Sequence, residues 1–382
     1  MSRGLRAFKF YRARPAPFED IEMILQQSIG AADVASPAAV LRPAQGAVKA
    51  WLYAVAALIF VMVLVGGATR LTESGLSITQ WKPVTGVIPP LSEADWREEF
   101  FRYQQIPQFS KLNSDMRIEG FKTIFYWEWS HRLLARILGA AFVLPALGFW
   151  LSGRLKGAVG RRVLFATCLL ALEPIVGWWM VSSGLSQRTE VAQERLAIHM
   201  LIAAATFGAL IFAAMAVRER PRERVHGFAT AAAGFVALVF AQLGFGALVA
   251  GLRAGLVYNT WPLMDGRLVP EGAFALTPWP RSIIDDVTTA QFDHRLVAYL
   301  VVVYALVQAG ASLRAAPASA LARRAMALAG LALCQAMLGI FTLLWVVPIG
   351  LALAHQALAL LLFGMAVVHW GATANGRERY ET

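Results

Sequence analysis

The chain alternates long apolar stretches with shorter polar ones. The apolar runs cover about residues 50–69, 131–151, 163–181, 196–217, 227–250, 292–313, 325–346 and 351–371. Each is close to the ~20 residues needed to cross a bilayer core. Each is continuous rather than alternating, which predicts helices and excludes a β-barrel. The expected fold is an all-α polytopic membrane protein with eight transmembrane helices. Loops 2–3, 4–5 and 6–7 are short and rich in Lys and Arg, as are both tails. They share one face if both termini are cytoplasmic, and the two long polar segments, 70–130 and 251–290, then lie on the outer side.

Local signals refine this picture. Ser92, ahead of Glu93, Asp95 and Trp96, reads as a helix N-cap. Glu173-Pro174 interrupts the third span and should kink it. A charged residue at that depth costs about 2.5–3.5 kcal/mol on insertion scales. Residues 18–29 have the pattern of a short amphipathic surface helix, although a partly disordered tail is the simpler reading.

Composition agrees with the pattern. Of 382 residues, 58% are hydrophobic and 15% charged, against about 25% charged in soluble domains. The net charge of +11 sits in short loops and tails, so it reads as topology and not as a nucleic-acid surface. Cys168 and Cys334 lie inside apolar runs, which supports neither a disulfide framework nor a CxxC site. The first 45 residues lack an apolar h-region, so no cleavable signal is expected.

The spans repeat. Ser74-Gly75-Leu76, Trp81 and Gly86 match Ala254-Gly255-Leu256, Trp261 and Gly266 at an offset of 180. His131-Arg132 matches His294-Arg295 at 163, Glu173 and Gly177 match Gln335 and Gly339 at 162, and His199 matches His355 at 156. The expected organisation is a tail (1–49), two tandem four-helix bundles (50–217 and 218–372) and a second tail (373–382). Four spans per repeat is an even number, so the halves point the same way, related by a pseudo-two-fold axis along the membrane normal.

Four of the six histidines belong to the repeat. His131 and His294 open the second and sixth spans, and His199 and His355 lie one turn into the fourth and eighth. In each half, two histidines on two helices share one depth near the outer face, which suits axial ligation of a heme iron. Zinc would need further converging ligands. His226 and His369 have no repeat partner and read as non-ligands. Arg132 and Arg295 follow the histidines, where each could hold a heme propionate or simply anchor the interface. Glu128, three residues before His131, shares its helix face and could accept a proton or stabilise a developing cation. Gln291 stands in its place in the second half. The half with the carboxylate is therefore expected to do chemistry, and the other to keep a fixed cofactor.

Several motifs together resemble heme A synthase, in its proteobacterial and mitochondrial branch. They are the stretch from Gly66-Gly67-Ala68-Thr69-Arg70 to Ser77, Glu128-Trp129-Ser130-His131-Arg132, Gly177-Trp178-Trp179-Met180-Val181-Ser182-Ser183-Gly184-Leu185, and Asn259-Thr260-Trp261-Pro262-Leu263-Met264-Asp265-Gly266. The resemblance covers about residues 50–372. It implies oxidation of a methyl group of heme O to a formyl group, by successive hydroxylation and loss of water, giving heme A for terminal oxidases. His131 and His199 would serve the substrate heme, His294 and His355 a resident heme b, and Glu128 matches the family's essential glutamate. The family pattern also implies a bacterial inner membrane, a heme O synthase and cytochrome oxidase assembly components as partners, and an electron donor or acceptor that the sequence does not name. A homo-oligomer stays open. Glu173-Pro174 departs from a Gln-Gly type pair. An iron held by two histidines has no open site, so either His131 or His199 must release, or electrons are removed and water supplies the oxygen. Two other classes stay in view: a di-heme b-type electron carrier, and a transporter built on parallel repeats.

Overall fold

In a computed structural model, the residues described are 43–217, 222–223, 227–374 and 376–377. The proposed surface helix at 18–29, His226 and most of the 218–224 loop lie outside them. Among the described residues, eight helices are long and apolar enough to cross a membrane. They are α1 (Pro43–Leu71), α2 (Ile118–Leu151), α3 (Gly157–Ser182), α4 (Gln193–Ala216), α5 (Phe228–Gly251), α6 (Val287–Ala315), α7 (Ala320–Leu344) and α8 (Ile349–Ala374). The fold is thus the all-helical multi-pass architecture that the apolar runs predict. Two-residue strands Arg222–Glu223 and Gly376–Arg377 pair in parallel beyond α4 and α8.

Three expectations change. His131 does not open its helix: α2 begins at Ile118. His294 likewise lies seven residues after the start of α6 at Val287. Nor does Glu173-Pro174 interrupt its span, because α3 is one helix from Gly157 to Ser182 with Pro174 inside it. The reason for the early start of α2 is packing outside the apolar run. Ser92 caps the short helix Glu93–Gln104 through a capping box with Asp95. Trp96 and Tyr103 of that helix are buried against Phe121 and Phe125 of α2. This aromatic cluster carries α2 beyond the stretch that hydropathy alone would assign to it.

Helices α1, α4, α5 and α8 pack around the centre, with α2, α3, α6 and α7 outside them. In lipid, helices associate through close packing, for which small residues are needed. Here Gly208 of α4 receives the ring of Phe363, 3.0 Å from where a Cβ would stand, and Gly364 of α8 receives Phe207 at 2.9 Å. Phe207 and Gly208 match Phe363 and Gly364 at the offset of His199 to His355. Such reciprocal contacts are the mark of a two-fold relation. A second contact has the same character: Glu73 and Arg253, 180 residues apart, pair at 2.5 Å. Both adopt a left-handed backbone, with φ of 55° and 52°. Glu190 also takes both Arg70, at 2.7 Å, and Arg253.

The likeness fails at one seam. Helices α6 and α7 pack extensively, whereas their counterparts α2 and α3 hardly touch. Helices α2 and α3 are also the least buried of the eight.

Candidate heme sites

His294 of α6 and His355 of α8 face each other with ring centroids 6.4 Å apart and planes at 78°. A metal–imidazole bond of about 2 Å puts each ring centre about 3 Å from the metal, so two axial imidazoles stand about 6 Å apart. The pair has that spacing. Each ring lies on a glycine of a neighbouring helix. A Cβ on Gly246 would stand 3.2 Å from His294 Cε1, and one on Gly339 would stand 2.8 Å from His355 Cε1. Each ring is also gripped by a glutamine. Gln242 Nε2 lies 3.0 Å from His294 Nδ1 and donates to His294 O at 3.0 Å. Gln335 Nε2 lies 3.1 Å from His355 Nδ1 and donates to His355 O at 3.0 Å.

The first half repeats the glycine seats. A Cβ on Gly66 would meet His131 Nε2 at 3.1 Å, and one on Gly177 would meet His199 Cε1 at 3.2 Å. The surroundings of His131 and His199 differ from those of His294 and His355. Glu173 Oε2 lies 2.6 Å from His199 Nδ1, off the line of a well-aligned hydrogen bond, and Glu173 Oε1 is buried without a partner. Glu173 holds the place of Gln335. Met62 holds the place of Gln242, and among the described residues no hydrogen bond reaches the His131 ring.

The polar frames beside the histidines are also related. Glu128 is 2% exposed. Its Oε2 accepts from the Ser77 hydroxyl and Ile78 N–H, both at 2.8 Å. Its Oε1 accepts from Arg132 Nε at 3.1 Å and NH2 at 2.6 Å. Arg132 further donates to Ile78 O at 2.8 Å and Gln80 O at 3.0 Å, and lies over the Trp178 ring. Arg132 therefore gives four of its five N–H donors to protein. In the second half, Gln291 and Arg295 both donate to Tyr258 O, at 3.0 and 2.9 Å. Tyr258 is the counterpart of Ile78. Without a carboxylate beside it, Arg295 keeps Nε and NH1 buried and unpartnered. Two orphaned donors beside a histidine pair suit an anionic group such as a propionate.

Of the residues expected from the sequence, the structure brings Glu128 and Arg132 together, pairs His294 with His355, and places His131 on α2 and His199 on α4. No hydrogen bond of Glu128 goes to His131. His369 is fully buried, 3.3 Å from Gln308 Nε2 at the inner end of α8. Among the described residues, no cluster of three or more His, Cys, Asp or Glu converges on a metal position. Gln242, Ser77 and the four glycine seats were not anticipated. Gly66 with Gly246 and Met62 with Gln242 fall at the same offset of 180 as Trp81 with Trp261, which was the available signal.

Comparison with known proteins places this geometry in context. Residues 49–367 match the family model COX15-CtaA, cytochrome oxidase assembly protein. A protein of Beijerinckia indica named heme A synthase is 50% identical over 337 residues, 87% of this chain and 94% of that one. Proteins of the same name from Rhodopseudomonas palustris and Chelativorans are 54% and 52% identical, over 84% and 85% of this chain and 90% and 91% of theirs.

Proposed function

The chain belongs to the COX15-CtaA family of cytochrome oxidase assembly proteins, and from that premise we propose how its two halves divide the work. It is a membrane enzyme that converts heme O to heme A. The first half, 50–217, takes heme O between His131 and His199. The second half, 218–372, holds a heme b on His294 and His355, which when bound supplies one-electron transfer. The asymmetry of the polar frames carries this reading: a buried carboxylate at Glu128 in one half, and an amide with free arginine donors at Gln291 and Arg295 in the other.

Within the first half, Glu128 accepts the proton released as the methyl group is oxidised by successive hydroxylation. Its lone pairs are all engaged, so a donor must give way. Arg132 is pinned by two backbone carbonyls and Ile78 by its own chain. The Ser77 hydroxyl alone can turn by rotating about one bond, so the proton arrives at Oε2 past Ser77. In the second half, Gln242 and Gln335 fix the ring planes of the ligands, and Arg295 takes a propionate. Arg132 has one N–H left, on Nη1, for a propionate.

The protein sits in the inner membrane with both termini cytoplasmic and the heme sites toward the outer face. Its partners are those of cytochrome oxidase assembly, with a heme O synthase as the source of substrate. The deciding experiment is extraction and identification of the hemes from protein purified with heme O supplied. Heme b together with heme A or a hydroxylated heme is expected. Heme b alone, from a preparation shown to be folded, would leave a di-heme electron carrier.

A further inference from the structure

A carboxylate at membrane depth is costly, about 2.5–3.5 kcal/mol, so Glu173 calls for a reason. The only described partner of its carboxylate is His199. In the second half both ligand rings are gripped by amides, Gln242 on His294 and Gln335 on His355. In the first half a carboxylate, which can only accept, stands in the place of Gln335, and by the offset of 180 Met62 stands in the place of Gln242. The rings also sit differently. His131 turns Nε2 and Cδ2 toward Gly66, whereas His294 turns Cε1 and Nδ1 toward Gly246. The two rings differ by a half-turn about Cβ–Cγ.

We propose that Glu173 is a positioning residue that fixes His199 as the retained axial ligand of heme O, leaving His131 as the exchangeable one. The inference rests on the reading of the first half as the substrate site. The Glu173 carboxylate lies 2.6 Å from His199 Nδ1; once turned into line to accept Nδ1–H it sets the tautomer and ring plane and makes Nε2 the stronger donor. Among the described residues no hydrogen bond holds the His131 ring, and the thioether at position 62 would accept only weakly, so His131 lacks that support. The arrangement resolves the difficulty that two held histidines would leave no open coordination position. The face freed when His131 turns away is the one bordered by α2. Glu128 lies on that helix one turn before His131, so the proton acceptor and the open face fall on the same side.

The test uses the full chain, purified with heme O supplied. It follows occupancy, spin state and carbon monoxide binding of the second heme, with the heme b spectrum as an internal measure of folding. His131→Ala should retain a second heme that is high-spin and binds carbon monoxide when reduced, and His199→Ala should lose it. Glu173→Ala should weaken retention of that heme roughly 10–100-fold, the usual effect of removing such a partner. Glu173→Gln should recover part of the loss, because its amide carbonyl can still accept Nδ1–H. Met62→Gln should slow carbon monoxide binding by giving His131 a partner. A second heme retained by His199→Ala and lost by His131→Ala would overturn the inference. So would a Glu173→Ala protein with unchanged occupancy, spin state and carbon monoxide binding. A wild-type protein that holds only one heme would overturn the substrate-site reading as well, which separates the two failures.

Discussion

An alanine at position 339 would put a methyl group 2.8 Å from His355 Cε1. Contacts that short do not persist, so either the ring or α7 must shift. The ring cannot simply turn aside, because Gln335, one turn earlier on α7, is bonded both to its Nδ1 side and to its backbone carbonyl. Overpacking of this kind costs about 1–3 kcal/mol. Against it, replacing glycine by alanine inside a helix gains about 0.5–1 kcal/mol. Both effects act on the heme-free protein, and their difference leaves it up to about 2.5 kcal/mol less stable. The shift of ring or helix that relieves the clash must be reversed for His355 to meet an iron. Gly339→Ala should therefore lower thermal stability of the heme-free protein modestly and weaken heme b binding by up to about 150-fold. The assay is heme b per polypeptide after purification, together with the rate of transfer to an excess of heme-free acceptor protein. Gly246→Ala, with 3.2 Å to His294 Cε1, should be milder. Gly66→Ala, in the other half, should not touch heme b at all. A Gly339→Ala protein that keeps wild-type heme content and transfer rate would refute the idea that the glycine seats position the ligands.

Three further outcomes follow from the geometry. Glu128→Gln should keep heme b, since Gln291 already sits beside an arginine in the same frame. It should lose heme A formation by about 100- to 10,000-fold; normal turnover would remove the carboxylate from the chemistry. Arg295→Leu deletes the two orphaned donors, and hydrogen bonds to a charged group are worth about 1.5–3 kcal/mol. Heme b affinity should fall accordingly, and an unchanged dissociation constant would mean that no propionate is bound there. Ser92→Ala should raise hydrogen exchange across residues 93–104 about fivefold. The Ser92 hydroxyl and N–H, with Leu91 N–H, hold the Asp95 carboxyl below its ordinary value. That contribution is present at neutral pH and is lost as the pH falls below about 4, so exchange that ignores both the mutation and acid would discount the cap.

The sequence displays its spans clearly because each apolar run is long and uninterrupted. It hides their outer ends, because α2 is extended by aromatic packing between Phe121, Phe125 and Trp96, which a hydropathy pattern does not register. The four histidines are legible from the repeat. The partners that give them different characters are not, because Gln242 lies 52 residues from His294 and Glu173 lies on a separate helix from His199. Glu128 and Arg132 read separately as a base and a propionate anchor. Their tight pairing depends on the backbone of residues 78–80, some 50 positions upstream, a contact that no local pattern reveals.

The pairing of Glu73 with Arg253 bears on how such a chain can specialise. In a symmetric dimer of one four-helix unit, a residue on the axis meets its own copy, so position 73 would set glutamate against glutamate. A single chain can make the two sides complementary, and here they form an ion pair. The same freedom reaches the sites. A symmetric dimer must carry a carboxylate at both sites or at neither, and must grip corresponding rings of the two sites alike. Covalent fusion lets Glu128 and Gln291, Met62 and Gln242, and Glu173 and Gln335 diverge while the axis contacts of Phe207 and Phe363 hold the halves in register. Two unlike sites can then stand side by side at a fixed stoichiometry of one to one.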